Sequence, residues 1–143
     1  MHSHSTMLSM FIGMFIIQYF LSSYIMTNRL GNMTNSIGKI YMCIIMGLFM
    51  VLLHILMQER FNTNQFSLIL GLTLFFIYLY RLQVGVDEKN YLREMIEHHS
   101  MALLTSKNIV KKTKNPAVHN LATKIITTQE NEIDDMRYIL KSI

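Results

Sequence analysis

The apolar positions of this chain follow two different rhythms, one on each side of residue 86. Before it they come in long runs. "MLSMFIGMFIIQYFLSSYIM", Met7 to Met26, has no charged residue, and its length suits a helix crossing a hydrocarbon core of roughly 30 Å. A second run extends from about Ile40 to Met57 and a third from Phe66 to Leu82. The third is short, but Arg81 can snorkel to the interface, and Tyr78 and Tyr80 suit the aromatic belt at a membrane boundary. The links "TNRLGNMTNSIGK" and "QERFNTNQ" are polar and rich in Asn, Gly and Ser, as loops outside lipid should be. A cleaved signal peptide is the rival reading of the first run. The absence of Lys or Arg ahead of it, its length and the lack of a small-residue cleavage site argue against that. The pattern therefore predicts a membrane domain over 1–86, with spans near 7–26, 40–57 and 66–82.

After "QVGVDEKN" the period changes to that of an amphipathic helix. Asp87 or Asn90 can cap its start, and Leu92, Met95, Ile96, Ala102, Leu103, Ile109 and Val110 follow three-and-four spacing. "TKNPAV" ends it. Asn115 is a good N-cap, and Pro116, the one proline, suits the first position of a second helix, where a missing N–H costs nothing. Val118, Leu121, Ala122, Ile125, Ile126, Ile133, Met136, Ile139 and Leu140 carry the stripe of that helix. The fold class expected is all-α: three spans, then an antiparallel two-helix hairpin over 87–143.

Charge sharpens the division. Residues 1–86 hold five charged side chains, Arg29, Lys39, Glu59, Arg60 and Arg81, whereas 87–143 hold nine Lys/Arg and eight Asp/Glu. The net charge of +4 is read as membrane flanking, with the lipid bilayer as partner and no nucleic acid. Three spans put 27–39 and the C-terminal region on one side, where Arg29, Lys39, Arg81, Lys89 and Arg93 lie against Arg60 on the other. The positive-inside rule makes that side cytoplasmic. Cys43 is the single cysteine, so neither an internal disulfide nor a cysteine-based zinc site is available.

Polar residues interrupt both stripes of the hairpin. His99 occupies a seam position of the first helix with His98 at its edge, and Gln129 and Glu132 occupy seam positions of the second. With a turn centred near Asn115, positions facing each other sum to about 231. His99 then faces Glu132, Met95 faces Met136, and Ala102 faces Gln129. Burying an imidazole and a carboxylate in a seam is costly unless each is paired, so the layer is a mutual hydrogen bond that fixes register or a shared ligand set. Met95 and Met136 taken alone are ordinary core filler.

"MIEHHSMALLTSKNIVKKTKNPAVHNLATKIITTQENEIDDMRYIL" resembles the domain of unknown function 305 family. That pattern has Met-Ile before paired His, then Met-Ala, a later Pro, and Gln-x-x-Glu-Ile-x-x-Met. The matching residues are Met95, Ile96, His98, His99, Met101, Ala102, Pro116, Gln129, Glu132, Ile133 and Met136. The N-terminal "HSH" and three spans resemble membrane-anchored members. The resemblance implies a ferritin-like helical domain, outside the cytoplasm in many members, and for some an association with copper binding or tolerance through His and Met. Glu97 departs from the pattern, standing where the family commonly has proline before the His pair.

Imidazole and thioether together favour copper, Cu(I) above all, since soft sulfur ligands select it. The candidate ligands are His98, His99, Met95, Met101 and Met136, with Glu132 and Gln129 holding an imidazole by its other nitrogen. Zinc is the alternative, with two His, Glu132 and a water. Di-iron chemistry needs Glu-x-x-His on two helices, but Glu94 precedes His98 by four residues and no His follows Glu132. No nucleophile lies beside a base, so no enzyme is expected. The spans add a fainter signal. Met42, Met46, Met50, His54 and Met57 recur along one face of the second, and Met7, Met10 and Met14 along the first, a pattern that ordinary apolar helices in a chain with 13 methionines also give. His54, Met50 and Met46, with His2 and His4 in the N-terminal tail, are further metal-ligand candidates. His119 falls off the seam as a surface residue. The function expected is a membrane-anchored protein for copper storage, buffering or delivery, with a helical protein-interaction module as the rival. A homo-oligomer is also expected, because two helices make a thin core that a second copy would complete as a four-helix bundle.

Overall fold

The computed structural model describes residues 2–59 and 61–143, with side chains from Ser5 onward. Every regular element among the described residues is helical. The chain divides into two compact units, Met1–Ser22 with Ile37–Gly85, and Ser23–Ser36 with Val86–Ile143.

The first unit is built on α1 (His2–Ile16), α3 (Ile37–Leu56) and α4 (Thr63–Arg81). A π-helical turn, Ile17–Ser22, continues α1 and leads into α2 (Ser23–Met26) in the second unit. Three helices are long and apolar enough to cross a membrane: Ser5–Met26, Ile37–Leu56 and Thr63–Arg81. The second and third each begin three residues before the apolar run that predicts them. The third does so because Asn62 accepts a hydrogen bond from the Gln65 backbone N–H, which starts α4 within what reads as a loop.

The middle helix α3 packs against both α1 and α4 and holds most of this unit's buried residues, Cys43, Ile45, Leu48, Val51, Leu52 and Ile55 among them. α1 comes close because Gly47 has no side chain. A Cβ there would sit 2.7 Å from Phe11 Cδ2, the close approach small residues permit between spanning helices. Lys39 stacks on the Tyr19 ring with 4.7 Å to its centroid. The outer faces of α1 and α4 remain bare, with Leu8, Ile12, Leu68, Leu74 and Phe75 exposed, as lipid-facing positions would be. α4 ends in a Schellman turn: Gln83 N–H donates to Tyr80 O and Val84 N–H to Leu79 O. Gln83, with φ 52°, takes the left-handed position that glycine usually fills.

The second unit holds α5 (Glu88–Val110) and α6 (Pro116–Ser142). Asp87 caps α5 by accepting from the Asn90 N–H at 2.7 Å. Asn115 caps α6 by accepting from Ala117 at 2.9 Å and Val118 at 3.4 Å, with Pro116 in the first turn. Leu92, Ile96, Leu103, Ile133 and Met136 form the core between these helices, flanked by Met95, Ile126 and Leu140. Burying side chains of this size contributes about 1.5–3 kcal/mol each.

The segment Ser23–Ser36, which in sequence reads as a plain link between spans, is part of this second unit. Its short 3₁₀ turn, Leu30–Asn32, lies against α5, and polar side chains of α5 and α6 hold it in place. The unit is thus discontinuous in the chain, joining Val86–Ile143 to a stretch from 50 residues earlier.

Candidate functional site

α5 presents three faces, each with its own partner. Toward α6 point the apolar residues and His99, whose Nδ1 lies 3.1 Å from Glu132 Oε2. Gln129 Nε2 donates to that same Glu132 oxygen at 3.1 Å. His99 Nδ1 is fully enclosed, and its approach to Glu132 falls outside hydrogen-bond geometry. It is an ion-pair contact when the ring is protonated and an unsatisfied nitrogen otherwise. Met95 is one turn before His99 and Met136 one turn after Glu132. Both pack in the adjoining apolar core, so His99, Glu132, Gln129, Met95 and Met136 share one stretch of the seam.

His98 does not join them. Neighbouring residues on a helix diverge by about 100°, and His98 Nε2 faces Glu94 Oε1 at 3.9 Å with more than half of its side chain exposed. Met101 is half-buried and about 200° round the helix from His99. Among the described residues, no three His, Cys, Asp or Glu side chains converge as a metal site. In the first unit Met46, Met50 and His54 are half-buried, and His54 Nε2 lies 3.1 Å from the Gln58 side-chain amide. The side chains of His2 and His4 lie outside the described residues. His119 is exposed.

The third face of α5 receives Ser23–Ser36. The Glu97 carboxylate accepts hydrogen bonds from Ser23 Oγ and from the Thr34 backbone N–H, the latter at 3.0 Å. One turn on, the fully buried Ser100 Oγ accepts from Asn28 N–H at 2.9 Å and Asn32 Nδ2 at 3.0 Å. From α6, Arg137 donates to Asn32 Oδ1 and to Gly31 O. Sequence reasoning missed this latch of Glu97, Ser100, Asn32 and Arg137. The departure at Glu97 was its one local signal. The docked segment leaves a cleft of about 320 Å³ lined in part by Asn28, Arg29, Glu130, Asp134 and Arg137. Its two guanidinium groups are matched by two carboxylates, so it holds no excess charge to recruit an anion.

Residues 79–142 match the family described as Domain of unknown function (DUF305). A relative in Acanthamoeba polyphaga mimivirus, the uncharacterized protein L153, is 38% identical over 141 residues, covering 96% of this chain and 93% of the relative. The chain belongs to the DUF305 family. No solved structure matches it. The match takes in the paired His, Pro116 and the Gln129-to-Met136 run, and both the seam and most of the latch lie within the DUF305 part. Residues Ser23–Ser36 lie outside it, yet they complete the same compact unit.

Proposed function

We propose that this protein is a membrane-anchored copper-binding protein whose site is the seam layer of His99, Met95 and Met136, supported by Glu132 and Gln129. The observation that carries the reading is the enclosed, unsatisfied His99 Nδ1 facing a carboxylate oxygen at 3.1 Å. The donor set favours copper. Zinc would need a third nitrogen or carboxylate ligand that the layer does not bring together, whereas thioethers complete a Cu(I) shell. His98 and Met101, which point away, fall out of this site and would meet copper only in transit.

The test is Cu(I) titration of the full-length protein in detergent against a chromophoric chelator. His99→Ala and Met136→Leu should each lose an equivalent or weaken it by more than about tenfold, while His98→Ala should retain it. A His99→Ala protein that titrates like the wild type overturns the assignment.

A second reading rests on the Gln129–Glu132 hydrogen bond, which already gives the carboxylate a protein partner. In that reading the layer sets register in a ferritin-like hairpin whose outer surface docks a partner. Leu121, Tyr138 and Ile139 remain exposed on α6, and a second copy closing a four-helix bundle would cover them. Under that reading His99→Ala changes stability or oligomeric state and leaves copper binding unchanged.

A further inference from the structure

The cleft between the docked link and α6 takes no part in the seam. Its charged walls are Arg29, Arg137, Glu130 and Asp134, and they are not equally engaged. Arg137 donates to Asn32 and Gly31, and Glu130 pairs with Lys107 outside the cleft. Arg29 makes no hydrogen bond or ion pair among the described residues. Asp134 has Arg137 Nη1 at 3.9 Å and a side chain that is 78% exposed. One cation and one carboxylate on the same cleft are therefore left to a ligand, and a zwitterion satisfies both.

The chain places these walls beside lipid. The apolar helix Ser5–Met26 ends two residues before Asn28, a reach of at most about 7 Å. The headgroup layer of a bilayer is roughly 5–8 Å deep on each side, so Asn28 and Arg29 enter it where that helix spans. Phosphate is the anion that a guanidinium fork grips best. The cationic end must carry N–H groups to donate to Asp134, as a primary ammonium does. A quaternary ammonium is held by aromatic faces instead, and among the described residues no aromatic side chain lines this cleft. A headgroup with negative charge alone would face Glu130 and Asp134 with nothing to offer them. The volume of about 320 Å³ lies at the small end of ligand sites, which run roughly 300–1,000 Å³. That holds a headgroup while its acyl chains stay in the bilayer.

We infer that the cleft is a binding site for a phosphate ester carrying a primary ammonium, the chemistry of an ethanolamine phospholipid headgroup, with phosphate at Arg29 and ammonium at Asp134. The inference rests on the membrane anchoring of the proposed function and is independent of its copper site. Full-length protein in detergent is titrated with dioleoyl phosphatidylethanolamine, phosphatidylcholine or phosphatidylglycerol, and retained lipid is read by native mass spectrometry. Wild type is compared with Arg29→Gln and Asp134→Asn. Neither substitution removes a hydrogen bond within the described residues, and thermal unfolding checks that both variants fold. The expected result is one phosphatidylethanolamine held by the wild type more than about tenfold more tightly than the other two lipids, with that preference lost in each variant. Phosphatidylglycerol bound as tightly as phosphatidylethanolamine overturns the inference, as does phosphatidylethanolamine binding unchanged in both variants, or a wild type that binds neither lipid nor soluble ester. Soluble glycerophosphoethanolamine, added as competitor, identifies the source within this chemistry: displacement at concentrations equal to the lipid's assigns a free ester, and displacement only at large excess assigns the lipid. Co-flotation with phosphatidylethanolamine–phosphatidylcholine vesicles tests the anchoring by itself. Protein that floats without retaining phosphatidylethanolamine or the soluble ester loses the cleft site and keeps its anchor, whereas protein that does not float loses the anchor and the lipid source with it.

Discussion

Ser100 is fully buried and accepts two hydrogen bonds from residues about 70 positions earlier in the chain. Ser100→Ala would leave the Asn28 N–H and one Asn32 amide proton without that acceptor in an enclosed place, at a cost of about 1–3 kcal/mol. The expected outcome is faster hydrogen exchange at the Asn28 amide and a lower unfolding temperature for the second unit. An unchanged Asn28 amide would mean that Ser23–Ser36 does not rest on α5 in solution. Asp87 makes a different kind of prediction. The Asn90 backbone N–H, then the Asn90 side chain, with Arg93 and Lys89 adding to them, hold its carboxyl below the usual aspartate range. The folded state therefore binds that proton less readily than the unfolded chain. The cap's contribution is complete above the ordinary aspartate pKa and is lost as pH falls through the lowered folded value. The Asn90 amide proton, followed by NMR toward acid pH, should shift below the ordinary aspartate range in the wild type and stay put in Asp87→Asn, which keeps a capping oxygen without titrating. Caps such as Asp87 and Asn115 were legible in the sequence because their partners are two or three residues away. The partners of Glu97 and Ser100 lie across 63 to 74 residues, and no local pattern marks them.

At the scale of elements, period alone located every long helix among the described residues to within a few positions, because apolar stripes and runs report burial directly. It also aligned α5 with α6 well enough to set His99 against Glu132. Period could not separate His98 from His99, since a seam edge and a solvent face differ by one residue's rotation. Nor does it mark the π-helical turn at Ile17–Ser22, for which we have no physical account. The closeness of α1 and α3 depends on a single absent side chain. A Cβ on Gly47 would meet Phe11 Cδ2 at 2.7 Å, Cε2 at 2.9 Å and the Phe11 carbonyl oxygen at 3.2 Å. One of those neighbours is backbone, so rotating the ring does not relieve the whole clash. Gly47→Ala should push α1 off α3 and destabilise the membrane unit by about 1–3 kcal/mol. Gly13→Ala and Gly71→Ala, whose added Cβ would meet nothing within 4 Å, serve as controls. Thermal unfolding in one detergent compares the three, and a Gly47→Ala protein as stable as the Gly13→Ala control would show that the two helices are not in close contact.

For the whole molecule, the latch imposes a rule on membrane topology that does not depend on counting apolar runs. Ser23–Ser36 and Val86–Ile143 belong to one compact unit, so they must lie on the same side of any bilayer. The chain between them can then cross an even number of times. It contains two helices able to span, Ile37–Leu56 and Thr63–Arg81, and therefore both cross or neither does. Their length, bare apolar faces and charges confined to their ends, at Lys39 and Arg81, favour both. With Cys43 replaced by Ser, single cysteines at the exposed positions Asn35, Glu59 and Ser142 can report sidedness to an impermeant thiol reagent on sealed vesicles. Asn35→Cys and Ser142→Cys should label from the same face and Glu59→Cys from the other. Opposite labelling of Asn35→Cys and Ser142→Cys would make the latch impossible within one chain, and labelling of all three from one face would take α3 and α4 out of the membrane. The same rule bears on how the proposed copper binding should be measured. A fragment beginning at Asp87 would lack the segment that fills one face of α5, leaving Glu97 and Ser100 without their partners. That fragment should unfold at lower urea than a version with Ser23–Ser36 fused ahead of Val86 through a flexible linker. Equal midpoints would show that the helix pair is complete without the link between the spans.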